Sequence, residues 1–504
     1  MLLVFCTVIV ILLALIFTRK RLLFAHKFNK IPGICESVTS CGIRGTISIL
    51  RFVNASSTTG KTRKRFQLFD GMKLLFPEGI VSMWIGPVPF VVVMTADMAE
   101  AVLTNSTITK RSIIMKLSEP LLGKGLVTSD GQTWKNHRKL LTPAFHFKIL
   151  EESVINVTRN GKSLAKNLEI ESAGNHGVID NFYDDIALCS LETFCETAMG
   201  EKDIMSQSCR EYLTATLKLG DMFAERITMV WHYYELFIPM TWMGGESYRL
   251  VSACHHFTGA VIAKRKQEVL QGSESSTNLR PFLDLLIREH MKNPEAMTME
   301  GIRDEVETFM IVGHETTALT VTWATFLLGH HPLVQQRVHQ EIDELVAGGD
   351  PDRDLTFQEV RNKLPFTEAV VMETLRIRPV TPLLPRHIDQ DIKIGKHNIT
   401  AGSEVIINLM SIHTDTDHWT HPHLFDPERF LTGDRRHIFS FIPFGAGARN
   451  CIGQKYAMMA TKILIVSIFR KLRITSLDHM DEVPGGLTTN LRSSVPIRVR
   501  LERR

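Results

Sequence analysis

The most apolar stretch of the chain comes first. MLLVFCTVIVILLALIF carries no charged side chain over 17 residues, and TRKR follows it. A run of roughly 17 to 25 apolar residues is long enough to cross a bilayer. A cleaved signal peptide would want a basic start and a small-residue cleavage site, and this run has neither. It therefore reads as an anchor, with a signal peptide of a secreted protein as the alternative. Arg19, Lys20 and Arg21 follow the run, and the positive-inside bias keeps them and the body behind them cytosolic. The pattern predicts a transmembrane helix over 1–18, a basic and proline linker over 19–33, and a catalytic body over 34–504.

In the body, helical periodicity dominates. It runs through 131–150 with a break around Pro143, then through 152–200, 209–236 and 245–271. Thr298 caps a long helix that lasts to about His330, where His331-Pro332 stops it. That is roughly 32 residues, or ~48 Å, enough to cross a whole domain. Pro332 opens a second helix that ends at Gly348-Gly349. Thr356-Phe357-Gln358-Glu359 is a capping box, and another helix covers Phe366 to Ile377 before Pro379. The period drops to two at 81–95, two strands joined at Gly86-Pro87, and again over 383–408, hairpin strands around Gly395 and Ala401-Gly402. The expected fold class is mainly α with a minor β region. No long Pro/Ser/Gly linker divides the body, and QGSESSTN at 271–278 reads as a surface loop.

Composition narrows the class. With 44% hydrophobic and 22% charged residues, the 504-residue chain is globular. A net charge of +4, with no basic block interleaved with aromatics, argues against nucleic acid as a partner. None of the eight cysteines forms a C-x-x-C pair, which makes zinc a poor fit and suits a reducing compartment.

One cysteine stands apart. Cys451 lies in FGAGARNCIGQKYA, 444–457, among glycines and beside Arg449. The stretch allows a dinucleotide loop, but Asn450 stands where the last glycine of G-x-G-x-x-G belongs. It allows a turn around a buried, inert cysteine. It also allows a metal-bound thiolate, since a helix beginning at Gly453 would offer N–H groups and a positive dipole end to the sulfur.

Three further constellations bear on the choice. Glu373 and Arg376 share one face of an apolar helix, so they are either a surface pair or a buried one completed by Arg429. Val312-Gly313-His314-Glu315-Thr316-Thr317-Ala318, in the middle of the long helix, is poor helix material. It is either a helix-packing notch or a place where threonine hydroxyls bond back and open the helix for a small molecule. Ala318 rules out H-E-x-x-H. Trp134 and Arg138, at i and i+4, present two donors suited to a carboxylate, or are simply one packed indole on a basic helix.

The order W-x-x-x-R, G-x-E-T-T, E-x-x-R, P-E-R-F, F-x-x-G-x-R-x-C-x-G, over about residues 30 to 500, resembles the cytochrome P-450 superfamily. The G-H-E-T-T-A and R-N-C-I-G forms look like the microsomal clan that contains fatty-acid omega-hydroxylases. The resemblance implies a long central helix over haem b and an axial thiolate from Cys451. Phe444, Gly445 and Gly453 would lie against the haem. Trp134, Arg138, Arg386 and Arg449 would meet its propionates. Glu373, Arg376 and Arg429 would form a structural triad. Thr316 and Glu315 would be the catalytic alcohol and acid that deliver protons to dioxygen, with Gly313 leaving space for it. A thiolate ligand favours O–O cleavage.

The implied activity is a monooxygenase inserting one oxygen atom into a hydrophobic substrate: a fatty acid, a terpenoid- or steroid-like lipid, or a xenobiotic. Electrons would come from NADPH–cytochrome P-450 reductase, with a cytochrome b-type donor as a second partner; Lys135, Lys139 and Lys455, near the haem-binding segments, are either a basic docking face or ordinary solvated lysines. The location would be the endoplasmic reticulum membrane. Val312 stands where many omega-hydroxylases carry a glutamate that esterifies haem, so no covalent attachment is expected. The alternatives are a haem-thiolate isomerase or dehydratase, and a non-catalytic haem sensor or carrier.

Overall fold

The structure, a computed structural model, describes residues 19, 23–33, 67–85, 88–145, 147–201, 206–228, 242–271, 281–433 and 436–504. The expected membrane helix lies outside them; of the linker only 20–22 do, and its Ala25, Phe28 and Ile31 are buried in the core beside the main sheet. Among the described residues no helix is long and apolar enough to cross a membrane.

Helix prevails. The helices of eight or more residues are α1 (Ala96–Leu103), α2 (Gly131–Leu141), α3 (Phe147–Gly174), α4 (Phe182–Phe194), α5 (Ser206–Thr228), α6 (Trp242–Leu270), α7 (Phe282–Lys292), α8 (Met299–His330), α9 (Pro332–Val346), α10 (Pro365–Ile377) and α11 (Gln454–Phe469). The strands are β1 (Ile80–Ile85), β2 (Val88–Val93), β3 (Val178–Ile179), β4 (Leu383–His387), β5 (Ile392–Ile394), β6 (His397–Ile399), β7 (Glu404–Asn408), β8 (Leu472–Ser476), β9 (Gly485–Leu487), β10 (Leu491–Ser493) and β11 (Val499–Arg503).

Local signals place the elements that have them. The Thr298 hydroxyl accepts from Gly301 N at the start of α8, and Thr356 and Glu359 form the capping box. Helix α2 ends at Leu141, and the chain tightens into a 3-10 turn at Thr142–Phe145 around Pro143. The main sheet has the order β1-β2-β7-β4. Val91, Val93, Val405 and Ile407 bury one of its faces and Val92, Phe90 and Ile406 the other, the period of two expected of strands.

Two expectations need correction. Residues 152–200 are not one helical run. Helix α3 stops at Gly174, and His176 at φ 51° and Gly177 at φ 84° turn the chain into β3 before α4 begins. Helix α4 then widens into a π-turn at Cys195–Met199. Nor do the threonines open the long helix. Thr316 Oγ1 donates to Val312 O at 2.9 Å and Thr320 Oγ1 to Thr316 O at 2.8 Å, yet α8 runs unbroken.

Helix α8 crosses the core and packs against α4, α10 and α11. From Asp304 to Leu328 it is buried, except at Ile311, Val312, Gly313, Glu315 and Thr316, which are half-exposed. An otherwise enclosed helix thus has one open face at its middle.

Candidate active site

The loop around Cys451 is closed by Cys451 N donating to Phe444 O at 2.9 Å. Gly447, at φ 70°, is where the loop crosses the end of α1: a Cβ there would sit 2.0 Å from Leu103 O. Helix α11 starts at Gln454, so its first N–H groups point back at the sulfur. Burial pushes the Cys451 thiol up, while the Gly453 N–H, the Arg138 guanidinium and the Gln454 N–H hold it down. The residue is nevertheless exposed. Protein crowds the sulfur on most sides. Phe444 is half-buried and packs on the main core.

Beside the thiol sits an unusual concentration of buried positive charge. Arg138 Nη1 and Nη2 donate to Asn450 O and Oδ1 at 3.0 and 2.8 Å. Arg449 donates to Thr109 O, Ser129 O and Asp130 Oδ1, and its guanidinium lies 3.9 Å from the centre of the Trp134 ring. Arg386 is 4% exposed and donates to Pro385 O. Burial lowers both Arg386 and Arg449 to about 10. Arg111, which the motifs did not indicate, joins them: its Nε is buried without a partner, and burial, then Arg449 and Arg386, lower its pKa strongly. Asp130 is the carboxylate that raises Arg111 and Arg449 in return.

Glu373, Arg376 and Arg429 come together. Arg376 Nε and Nη2 donate to Glu373 Oε2 and Oε1, each at 2.7 Å, and Arg429 Nε donates to Oε1 at 3.1 Å. Glu373 and Arg376 are fully buried. The remaining Arg376 donors reach His413 O, Pro422 O and Leu424 O. His413, absent from the sequence reading, accepts from Ile442 N through Nε2 at 3.1 Å, and so ties this cluster to the segment leading to Cys451.

On α8 the geometry divides the expected residues. Thr316 bonds back to its own helix. Glu315 Oε2 accepts from Asn490 Nδ2 at 3.0 Å. The two side chains are neighbours in sequence and are held by different partners. Gly313 has a packing reason: a Cβ there would lie 2.3 Å from the ring of Phe194, so its missing side chain makes room for α4.

Comparisons with known proteins identify the family. The family model described as cytochrome P450 matches residues 56–494. The chain is 37% identical over 439 residues to human cytochrome P450 4V2, covering 84% of this chain and 82% of that protein. The mouse protein of the same name is also 37% identical over 439 residues, with the same coverage. Cytochrome P450 4c3 of Drosophila melanogaster is 32% identical over 461 residues, covering 86% and 84%. The chain belongs to the cytochrome P450 family and is a haem-dependent monooxygenase. The family uses haem b with a cysteine thiolate as axial ligand, binds hydrophobic substrates, and takes electrons from a reductase that oxidises NADPH. The residues present fit that group. A surplus of buried guanidinium, including one unpartnered Arg111 nitrogen, is what two propionates would neutralise.

Proposed function

We propose that Cys451 is the axial ligand and that Arg386, Arg138, Arg449 and Trp134, with Arg111 added, hold the propionates of the haem. The observation that carries this is the buried positive charge gathered beside the one exposed thiol among the described cysteines. Haem supplies the activation of dioxygen and the transfer of one oxygen atom. The chain does the rest. The N–H groups of Gly453 and Gln454 steady the sulfur, and Phe444, which packs on the main core, would lie against the haem. Thr316, whose hydroxyl donates to Val312 O, and Glu315, held by Asn490, would serve as the alcohol and acid of proton delivery at the open face of α8.

The substrate is hydrophobic and lipid-like. Met222 is buried, Phe223 packs against the apolar face of the sheet, and Leu383 and Leu384 are half-buried at its edge. Trp231, Leu236 and Phe237, also apolar residues of the expected substrate-contact regions, lie outside the described residues. Lys135, Lys139 and Lys455 are exposed, and form the face offered to an NADPH–cytochrome P-450 reductase or a cytochrome b-type donor. The anchor at 1–18 and linker at 19–33 hold the body, 34–504, on the cytosolic side of the endoplasmic reticulum.

The ligand assignment is tested by the reduced carbon monoxide complex. The wild type absorbs at the long wavelength that marks a thiolate ligand, and Cys451→His loses that band while still binding haem. A retained band in Cys451→His would remove Cys451 from the iron.

A further inference from the structure

The tip of the β9–β10 hairpin is tied to several distant parts of the chain. Leu491 N donates to Val380 O at 2.7 Å, and Thr381 Oγ1 to Asn490 Oδ1 at 3.2 Å. Asn490 reaches Glu315 on α8. Arg492 Nη2 donates to Asp221 Oδ1 on α5 at 2.8 Å, and its Nε to Thr488 Oγ1 at 3.2 Å. The same Nε stands 4.0 Å from Glu315 Oε1. One guanidinium therefore lies between carboxylates on two helices, in hydrogen-bond contact with one and just short of it with the other.

The two carboxylates are not equivalent. The Asp221 side chain is 48% exposed and that of Glu315 13%. Water screens the pair with Asp221 more strongly, so an arginine released from α5 is drawn to the drier carboxylate. There is room for it to move. A cavity of about 280 Å³ adjoins it, lined by Tyr183, Asp221, Trp323, Thr488 and Arg492 among others. The Tyr183 hydroxyl in that lining is buried without a partner.

We infer that Arg492 is a positioning residue for proton delivery, shared between Asp221 and Glu315. With α5 seated, Asp221 holds the guanidinium away and leaves Glu315 to the neutral amide of Asn490. With α5 lifted, Arg492 closes on Glu315 as an ion pair and takes it out of proton delivery. Proton delivery then waits for α5 to be in place over the site. This rests on Glu315 being the proton donor.

The test uses the full chain with Asp221→Asn, Arg492→Gln and the double variant. Hydrogen exchange of residues 485–493 reports what holds the arginine. Asp221→Asn keeps the hairpin protected, because Arg492 pairs with Glu315 instead. Arg492→Gln speeds exchange there by about three- to tenfold, the worth of one such contact. Equal loss of protection in both single variants would overturn the inference. Product formed per NADPH is the second readout. It falls in Asp221→Asn and recovers in the double variant, whereas additive loss would mark a merely structural ion pair and overturn the inference. Failure of the underlying reading shows separately. Unchanged product per NADPH in Glu315→Gln would remove Glu315 from proton delivery, while the exchange measurement would still decide where Arg492 goes.

Discussion

His137 Nδ1 stands 2.6 Å from Glu305 Oε1, in the interior, and joins the helix that carries Trp134 and Arg138 to the first half of α8. Glu305 Oε2 also accepts from Leu126 N at 3.1 Å, so one carboxyl fixes both α2 and the segment before it. Burial raises the Glu305 pKa, and the hydrogen bond to His137 pulls it back. Two of the donors expected at the haem propionates therefore depend on a contact 168 residues away in sequence.

Glu305→Ala leaves a buried imidazole and a buried N–H without their acceptor. The expected cost is about 2–4 kcal/mol of stability. Thermal unfolding should show it, and haem should be lost more readily in competition with a haem scavenger. A variant with unchanged melting temperature and haem retention would show that α2 is held by its apolar face alone.

Arg376→Ala should be worse. It removes two hydrogen bonds from a fully buried Glu373, which keeps only the weaker contact to Arg429 and the Asp426 N–H. Breaking a buried pair in this way costs roughly 3–5 kcal/mol. Most of the protein should appear in the insoluble fraction, and a soluble, haem-loaded Arg376→Ala would contradict the energetics of this cluster.

Glu307 makes stability depend on pH. It sits on α8, accepting from Tyr212 Oη on α5 at 3.2 Å and from Thr258 Oγ1 on α6 at 2.7 Å. Burial pushes its carboxyl up to about 7 from 4.5, against the hydroxyls and Arg303, which lower it. An acid with a raised folded-state pKa contributes stability that is complete below about pH 4.5 and is lost as pH rises through about 7. The loss is at most about 3 kcal/mol. Urea midpoints between pH 5 and 8 should therefore fall in the wild type and flatten in Glu307→Gln. Equal slopes in the two proteins would assign the pH dependence to other groups.

What the sequence made legible was what short-range physics controls. The Thr298 cap, the Thr356 capping box and the turn at Gly395 are decided within a few residues, and each appears where the pattern puts it. The break after Gly174 was hidden because it needs His176 at positive φ, which no periodicity records. The Cys451 loop was legible as a motif, but the reason for Gly447 was not, since Leu103 O comes from α1. The packing reason for Gly313 was hidden because Phe194, the ring that fills the notch, lies on another helix. Arg111 and Asn490 carried no signal of their own. Their parts in the site come from partners such as Arg386 and Glu315, 275 and 175 residues on or back.

The last prediction turns on Val312. It is half-exposed on the open face of α8, and its carbonyl is occupied by the Thr316 hydroxyl, so the side chain is what it presents to the site. Valine has no oxygen that could form an ester with a haem methyl group. Denaturing acid extraction should therefore release unmodified haem from the wild type. Val312→Glu puts a carboxylate on the same face and should retain part of the haem covalently after turnover. The valine also leaves a β-branched apolar wall, which suits a bulkier or less strictly terminal substrate than a straight-chain fatty acid presented end-on. Covalent haem on the wild type would mean that another residue supplies the oxygen, and that Val312 has been matched to the wrong position of the helix. Strict terminal hydroxylation of a long fatty acid by the wild type would remove the argument from side-chain shape and leave the chemistry of the ester standing.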